Sequence, residues 1–282
     1  MTAGTDARTA ASKKTILLPR EHGAWGMLMV PFVCSAALAG KFDANVVAGL
    51  LAALSLFLLR EPLIVLARQR WVWRVRKPET DTARRCLVAE LTVLVASGAW
   101  LCWNTACAPL VLLAAVAIAQ TAFAVKMAVG NRQRSILLQI SGAIGLPATA
   151  LLPAHAAGAL DRPWPWLLWL ALAQHHVTAV LVVRTRLALM AGKTPRPERL
   201  LPAATFAVIA LTAITAGLLA ALRRELALPP LFSAAVHLIE LARLRRPSSL
   251  QEPIRRVGFR ALATSIMQAV MAAWAAAPLA SS

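Results

Sequence analysis

Charge is scarce in this chain, and acidic charge scarcest of all. Only 15% of the 282 residues are charged, 12 of them Asp or Glu against 30 Lys or Arg, and there is no tyrosine. A soluble domain carries about a quarter charged residues, so that class is excluded. A disulfide framework is excluded too, because four cysteines cannot staple so long a chain. Cys34 and Cys86 lie in or beside apolar runs, where cysteine behaves as a small hydrophobe. Cys102 and Cys107 stand near one helix end and could pair or pack, with packing the favoured expectation. The opening residues, MTAGTDARTAAS, lack the short apolar core and cleavage site of a signal peptide. Residues 1–15 therefore read as a disordered cytoplasmic tail and 16–282 as a single transmembrane domain, with targeting left to the first span.

Apolar residues supply 59% of the chain and raise its mean hydropathy to +0.65. They fall in successive runs of membrane-spanning length, which predicts an all-α, polytopic membrane helix bundle. Nine spans are expected, at about 23–40, 44–66, 86–106, 109–126, 136–153, 164–183, 200–222, 227–242 and 257–279. The weakest are the fourth, joined to the third through TACAPL, and the eighth, which holds Pro229, Pro230 and His237.

Charge tests that count independently. The N-terminal arm and alternate connections hold 25 Lys and Arg, the other side holds only Lys41, Arg162, Arg223 and Arg224, and Arg60 lies inside a span. The positive-inside rule then makes the N-terminus cytoplasmic and places the C-terminus outside. The formal charge of +18 sits in loops facing the membrane surface. Nucleic acid is set aside as a partner, because the basic residues are scattered between spans without an aromatic-rich soluble domain.

With that orientation the polar groups within spans share one leaflet. Glu21 and His22 open the first span from the cytoplasm; Arg60 and Glu61 lie near the cytoplasmic end of the second, just before Pro62. Glu90 opens the third span, where an acid in the first turn is an ordinary helix-dipole partner. Gln139 enters the fifth, His175 and His176 lie in the cytoplasmic half of the sixth, and His237 and Glu240 end the eighth. A charge buried in a bilayer costs at least a few kcal/mol, so such residues face the bundle interior, pair, and mark a pathway or site. Adjacent residues point about 100° apart around a helix, so Arg60 and Glu61 are each expected to need a separate partner. Glu21 is expected to pair with a cavity arginine, Arg60 above all. Adjacent histidines likewise diverge, which disfavours a metal or haem site and favours neutral imidazoles bonded to Glu61 or Glu240. Ser141, Gly142 and Gly145 read as a small-residue face for close helix approach.

Three stretches, LLPREHGAWGMLMVPF, LREPL and NRQRSILLQISGAIGL, resemble the YwiC-like family of bacterial integral membrane proteins, a resemblance that implies no defined chemistry. The nine-span frame, with large cytoplasmic loops after spans two and six, is similar to the UbiA superfamily of intramembrane prenyltransferases. That resemblance implies Asp-rich motifs binding a prenyl diphosphate through magnesium. Here the matching segments, REPLIVLARQRWVWRVRKPETD and VVRTRLALMAGKTPRP, hold one aspartate, Asp81, beside Glu79. They offer instead the guanidinium groups of Arg60, Arg68, Arg184 and Arg186, which bind phosphate or carboxylate directly.

The expectation is a multi-pass protein of the bacterial cytoplasmic membrane with a cytoplasm-facing polar cavity for an anionic amphiphile, such as an isoprenoid or lipid phosphate. Substrate-binding candidates are Glu21, His22, Arg60, Glu61, Gln139, His175, His176, Arg184, His237 and Glu240, with no metal and no cofactor. Membrane lipids are the expected partners. A divergent UbiA-like transferase without the magnesium site fits this reading. Its rivals are a secondary transporter of an organic anion, with Glu61 or Glu240 relaying protons, and a non-catalytic assembly factor whose basic loops hold its orientation.

Overall fold

A computed structural model describes residues 22–191 and 200–281. The described residues are helical and contain no strand. Helix α1 (His22–Ala39) leads into α2 (Ala44–Arg68), which continues as one π-helical stretch, Gln69–Trp73. Helices α3 (Thr80–Asn104) and α4 (Cys107–Val129) follow, and α5 (Ile136–Gly145) passes through a 3-10 segment, Leu146–Ala150, into α6 (Leu151–Ala156). The second half contains α7 (Pro163–Met190), α8 (Leu201–Leu222), α9 (Arg224–Arg243), the short α10 (Pro247–Leu250) and α11 (Ile254–Ala280).

Eight helical runs among the described residues are long and apolar enough to cross a membrane, α5 to α6 counting as one, and α1 is a shorter apolar helix beside them. The protein is a multi-pass, all-helical membrane protein. Both weak spans are present. Thr105 closes α3 by donating its backbone N–H and its hydroxyl to the Leu101 carbonyl, which allows α4 to start two residues later. Pro229 and Pro230 sit inside α9 without ending it. Helix α3 starts six residues before the expected 86, because Asp81 in its first turn complements the helix dipole and carries the helix into the polar TDTARR.

The fifth span is not the single helix expected for 136–153. Pro147 starts its 3-10 segment, and backbone groups so released must be satisfied inside the bilayer. The Ser35 hydroxyl donates to the Ala150 carbonyl at 2.5 Å, and Trp169 Nε1 donates to the Ile144 carbonyl at 3.0 Å. The break is thus clasped by α1 and α7. Around it lies the main core, where Ala269, Ala272 and Ala276 of α11 and Trp164, Leu168 and Leu172 of α7 meet Ala150 and Ala154. Small residues every three or four positions let these helices approach closely, as membrane packing requires. Helices α3 and α4 are peripheral, with 11% of their apolar windows buried.

Lateral contacts set α3 antiparallel to α2 and α4, and α11 antiparallel to α7. Arg68 Nη2 reaches the Ala128 carbonyl at one end, while Trp100 Nε1 reaches Asn45 and Arg162 reaches the Ala280 carbonyl at the other. The first is termed the basic end, since the long Lys- and Arg-rich connections lie there.

The expected small-residue face differs in detail. A Cβ at Gly142 would meet nothing within 4 Å, whereas one at Gly145 would fall 1.9 Å from Gln120 Oε1. Gln120 Nε2 donates to the Ser141 carbonyl at 2.8 Å, so the close approach is a side-chain tie between α4 and α5. Gly145→Ala is therefore expected to displace the half-buried Gln120 and lower stability by about 1 kcal/mol, the net worth of one ordinary hydrogen bond. Gly142→Ala is expected to be neutral or slightly stabilising through helix propensity. Thermal unfolding of both variants in one detergent checks the pair.

Candidate functional site

Helices α7 and α9 lie against each other and against α11. On α9 the residues Ser233, His237 and Glu240 follow the i, i+4, i+7 spacing of one helix face. Ser233 and His237 are buried, and they face His175 of α7. His175 Nδ1 lies 3.2 Å from Ser233 Oγ, His237 Nδ1 lies 2.8 Å from the Ser233 carbonyl, and the rings of His175 and His237 are 4.6 Å apart. His176 is buried beside His175, with ring centroids 5.7 Å apart. His175 Nε2 and His176 Nδ1 have no hydrogen-bond partner among the described residues.

The histidine partner is thus Ser233, in place of the expected Glu61 or Glu240. Glu240 turns instead to α11, where Arg260 Nε donates to it at 3.1 Å. Arg260 also donates through Nη1 to Glu252, in the short connection between α10 and α11. Arg243 stands 3.8 Å from each of the two carboxylates. Arg186 of α7 completes the cluster, with Nη2 donating to the carbonyls of Leu250 and Glu252 at 3.2 and 2.5 Å. Three guanidinium groups therefore face two carboxylates, and one positive charge is left over.

Glu252 reports this field. The Arg260 guanidinium bonded to it holds its carboxyl below the usual carboxylate range, and the charges of Arg260, Arg243 and Arg186 act the same way against the cost of desolvation. A carboxyl whose folded pKa is depressed contributes stability that is whole above its unfolded value, about 4.3, and lost as pH falls through the folded value. Glu252→Gln is accordingly expected to unfold at lower temperature than the wild type at pH 7. That gap should narrow as pH falls below the unfolded value and close once pH passes below the lower folded value, where the carboxyl is protonated in both states of the wild type. The facing charged groups, Glu240, Arg186, Arg243 and Arg260, are common to both proteins.

The cluster bounds two hollows. Val182, Arg186, Glu240, Glu252 and Arg260 line an enclosed cavity of about 10 Å³, room for about one water. Beside it, open to the basic end, a shallow cleft of about 270 Å³ is lined by Arg243, Ser248, Ser249, Gln251, Glu252, Pro253 and Arg256. Arg256 makes no ion pair among the described residues. Phe259, three residues on and on the same side of α11, is exposed.

Among the described residues, Gln139, Arg184, Arg60 and Glu61 lie apart from this cluster. Arg184 Nε donates to Gln139 at 2.7 Å, tying α7 to α5. It points away from Arg186, as a two-residue offset on a helix dictates. Arg60 Nη2 meets Glu61 at 3.4 Å. A guanidinium on a long stem can bend back to its neighbour, so the two side chains touch although their helix positions diverge. Glu21 and the side chain of His22 lie outside the described residues, as do the tail 1–15 and the proposed Glu21 pairing. Arg68 is taken up as a tie to α4, through the Ala128 carbonyl and Gln133. At the far end, two features escaped the sequence reading or went against its preference. His155 lies 2.8 Å from the Thr105 hydroxyl, and Cys102 is joined to Cys107 as a disulfide where packing was favoured. Among the described residues no three His, Cys, Asp or Glu side chains converge as a metal site.

Residues 18–154 match the family model described as YwiC-like protein. The match runs from the start of α1 into α6 and ends before α7, so Arg60, Glu61 and Gln139 fall within it and the α7–α9–α11 cluster does not. No curated protein and no solved structure matches the chain.

Proposed function

From a chain whose first half is YwiC-like, we propose a membrane protein that binds the head group of an anionic amphiphile, an isoprenoid or lipid phosphate or a carboxylate, at its basic end. The observation that carries this reading is the cleft between α9, α10 and α11. Arg243 and Arg256 line it with Ser248, Ser249 and Gln251, while its one carboxylate, Glu252, is already bonded to Arg260. An anion entering there meets two guanidinium groups whose bidentate donors are not committed at short range. The exposed ring of Phe259, one helical turn deeper than Arg256 and carrying the Arg255 guanidinium 5.5 Å over its centre, gives an amphiphile an apolar edge beside further positive charge. Arg186 Nε, buried and without a hydrogen-bond partner among the described residues, adds positive character to the wall behind.

In this reading the basic end faces the cytoplasm of a bacterial inner membrane. Two independent features support the orientation: the division of Lys and Arg between the two ends, and the Cys102–Cys107 disulfide at the opposite end, since disulfides persist in oxidising compartments. Reporter fusions after Gln251 and at Ser282 are expected to read cytoplasmic and external respectively. A cytoplasmic C-terminus would overturn the orientation.

The reading extends to a divergent UbiA-like transferase that holds its anion by arginine and not through magnesium. Binding is therefore expected to survive chelation of divalent ions. A second reading, secondary transport of an organic anion, is favoured by one specific feature: the buried stripe of Ser233, His175 and His237 runs from beneath the cleft toward the middle of the bundle. The experiment that tests the binding proposal is mass spectrometry of amphiphiles that co-purify with the detergent-solubilised protein. A retained phosphate or carboxylate amphiphile supports it, and a preparation holding only zwitterionic lipid in bulk proportion contradicts it.

A further inference from the structure

Between α2 and α3 the chain reads QRWVWRVRK, four cations interleaved with two tryptophans and two valines. Nothing in the amphiphile site uses it. The stretch is fastened at its base: the Thr80 hydroxyl donates to Gln69 Oε1 at 2.5 Å and accepts from the Lys77 backbone N–H at 3.2 Å, with Gln69 and Thr80 both buried. Arg74, with φ 53°, ends the helical run in the left-handed region that non-glycine residues rarely enter, and so turns the chain back toward α3.

This clamped strap displays its side chains away from the bundle. Trp71 is 67% exposed, Trp73 43% and Val75 61%. Arg70, Arg74 and Arg76 make no ion pair or side-chain hydrogen bond among the described residues, and Lys77 Nζ lies 3.8 Å above the Trp73 ring. Depth follows from helix length. The continuous run Ala44–Trp73 has 30 residues, about 45 Å at 1.5 Å per residue, the full thickness of a bilayer with its head groups. Trp71 and Trp73 therefore lie at the interface, where tryptophan concentrates, and the cations beside them lie among the head groups.

We propose that residues 70–77 form a preorganised binding strap for acidic phospholipid head groups, pinning the α2–α3 hairpin to a negatively charged leaflet. Charge complementarity names the occupant. Four cations with no acid between them need anions, the exposed rings need an apolar boundary, and a leaflet containing anionic lipid supplies both. The strap shares no residue with the cleft near Arg243 and Arg256, so the two proposals stand or fall separately.

The test measures binding of fluorescent phosphatidylglycerol and phosphatidylcholine to the full chain in neutral-detergent micelles. The wild type is expected to prefer phosphatidylglycerol, and the preference should weaken with salt. Replacing Arg70, Arg74, Arg76 and Lys77 together by Gln is expected to cut phosphatidylglycerol affinity at least about tenfold, since each cation near an anionic surface contributes about 1 kcal/mol, roughly fivefold. Phosphatidylcholine affinity should stay unchanged. Arg223→Gln with Arg224→Gln, at the opposite end, should leave the preference intact. Should the fourfold variant fail to fold by size-exclusion elution, Arg74→Gln with Arg76→Gln serves, with a several-fold loss expected. An undiminished preference in the strap variant, an equal loss in the Arg223 and Arg224 variant, or displacement of the lipid by single-stranded RNA at equal charge would overturn the proposal.

Discussion

Arg260→Ala is expected to lower the thermal midpoint of the detergent-solubilised protein more than any other single substitution in its cluster, though by less than removing one member of a fully buried pair would. Arg260 is the donor shared by Glu240 and Glu252, and its loss strands two carboxylates whose side chains are only 24% and 16% exposed. Arg243, 3.8 Å from each and itself more exposed, offers partial relief, which is why the loss falls short of the buried limit. The paired variant separates stranded charge from lost packing. Arg260→Met combined with Glu240→Met and Glu252→Gln strands neither carboxylate, and leaves Arg186 on its two backbone carbonyls and Arg243, the most exposed of the three guanidinium groups, without a carboxylate, so only part of the loss should be recovered. Thermal midpoints of the single and triple variants decide the matter. A triple variant less stable than Arg260→Ala would mean that the cluster acts through packing and not through charge.

His175→Ala carries the other large effect, about 2–4 kcal/mol, as expected for truncating a fully buried ring that the surroundings cannot refill. Part of that loss belongs to its bond with Ser233. A double-mutant cycle of His175→Ala and Ser233→Ala should show coupling of about 0.6 kcal/mol, with about 1.7 as a ceiling, the scale of hydrogen bonds between membrane helices. His176 is also buried but makes no hydrogen bond to Ser233 among the described residues, so His176→Ala should be costly alone and nearly additive with Ser233→Ala. The reverse pattern would place the wrong histidine against α9.

The two clusters show which parts of the molecule could be read in advance. The all-helical, multi-pass character was legible because hydropathy is a local property of the chain. The Ser233, His237, Glu240 stripe was legible in principle, since its spacing follows one helix face, but a single serine carries no signal until His175 is known to lie opposite. Arg260 and Glu252 were hidden for another reason. Both stood among loop charges that topology alone seemed to explain, and only the packing of α11 on α9 turns them inward. Gln120 shows the same limit from the other side: a polar residue in an apolar run has no evident partner until α5 lies beside it and exposes the Ser141 carbonyl over Gly145.

The account rests above all on the cleft between Arg243 and Arg256, so the decisive measurement is equilibrium binding of dodecyl phosphate to the full chain in neutral dodecyl maltoside, with EDTA present. The wild type is expected to bind saturably. Arg243→Gln with Arg256→Gln should weaken binding by about tenfold or more, since each charge-assisted hydrogen bond contributes about 1.5–3 kcal/mol. The Arg70, Arg74, Arg76 and Lys77 replacement should leave that site intact. Absence of saturable binding by the wild type, or equal affinity in the Arg243 and Arg256 variant, would contradict the account.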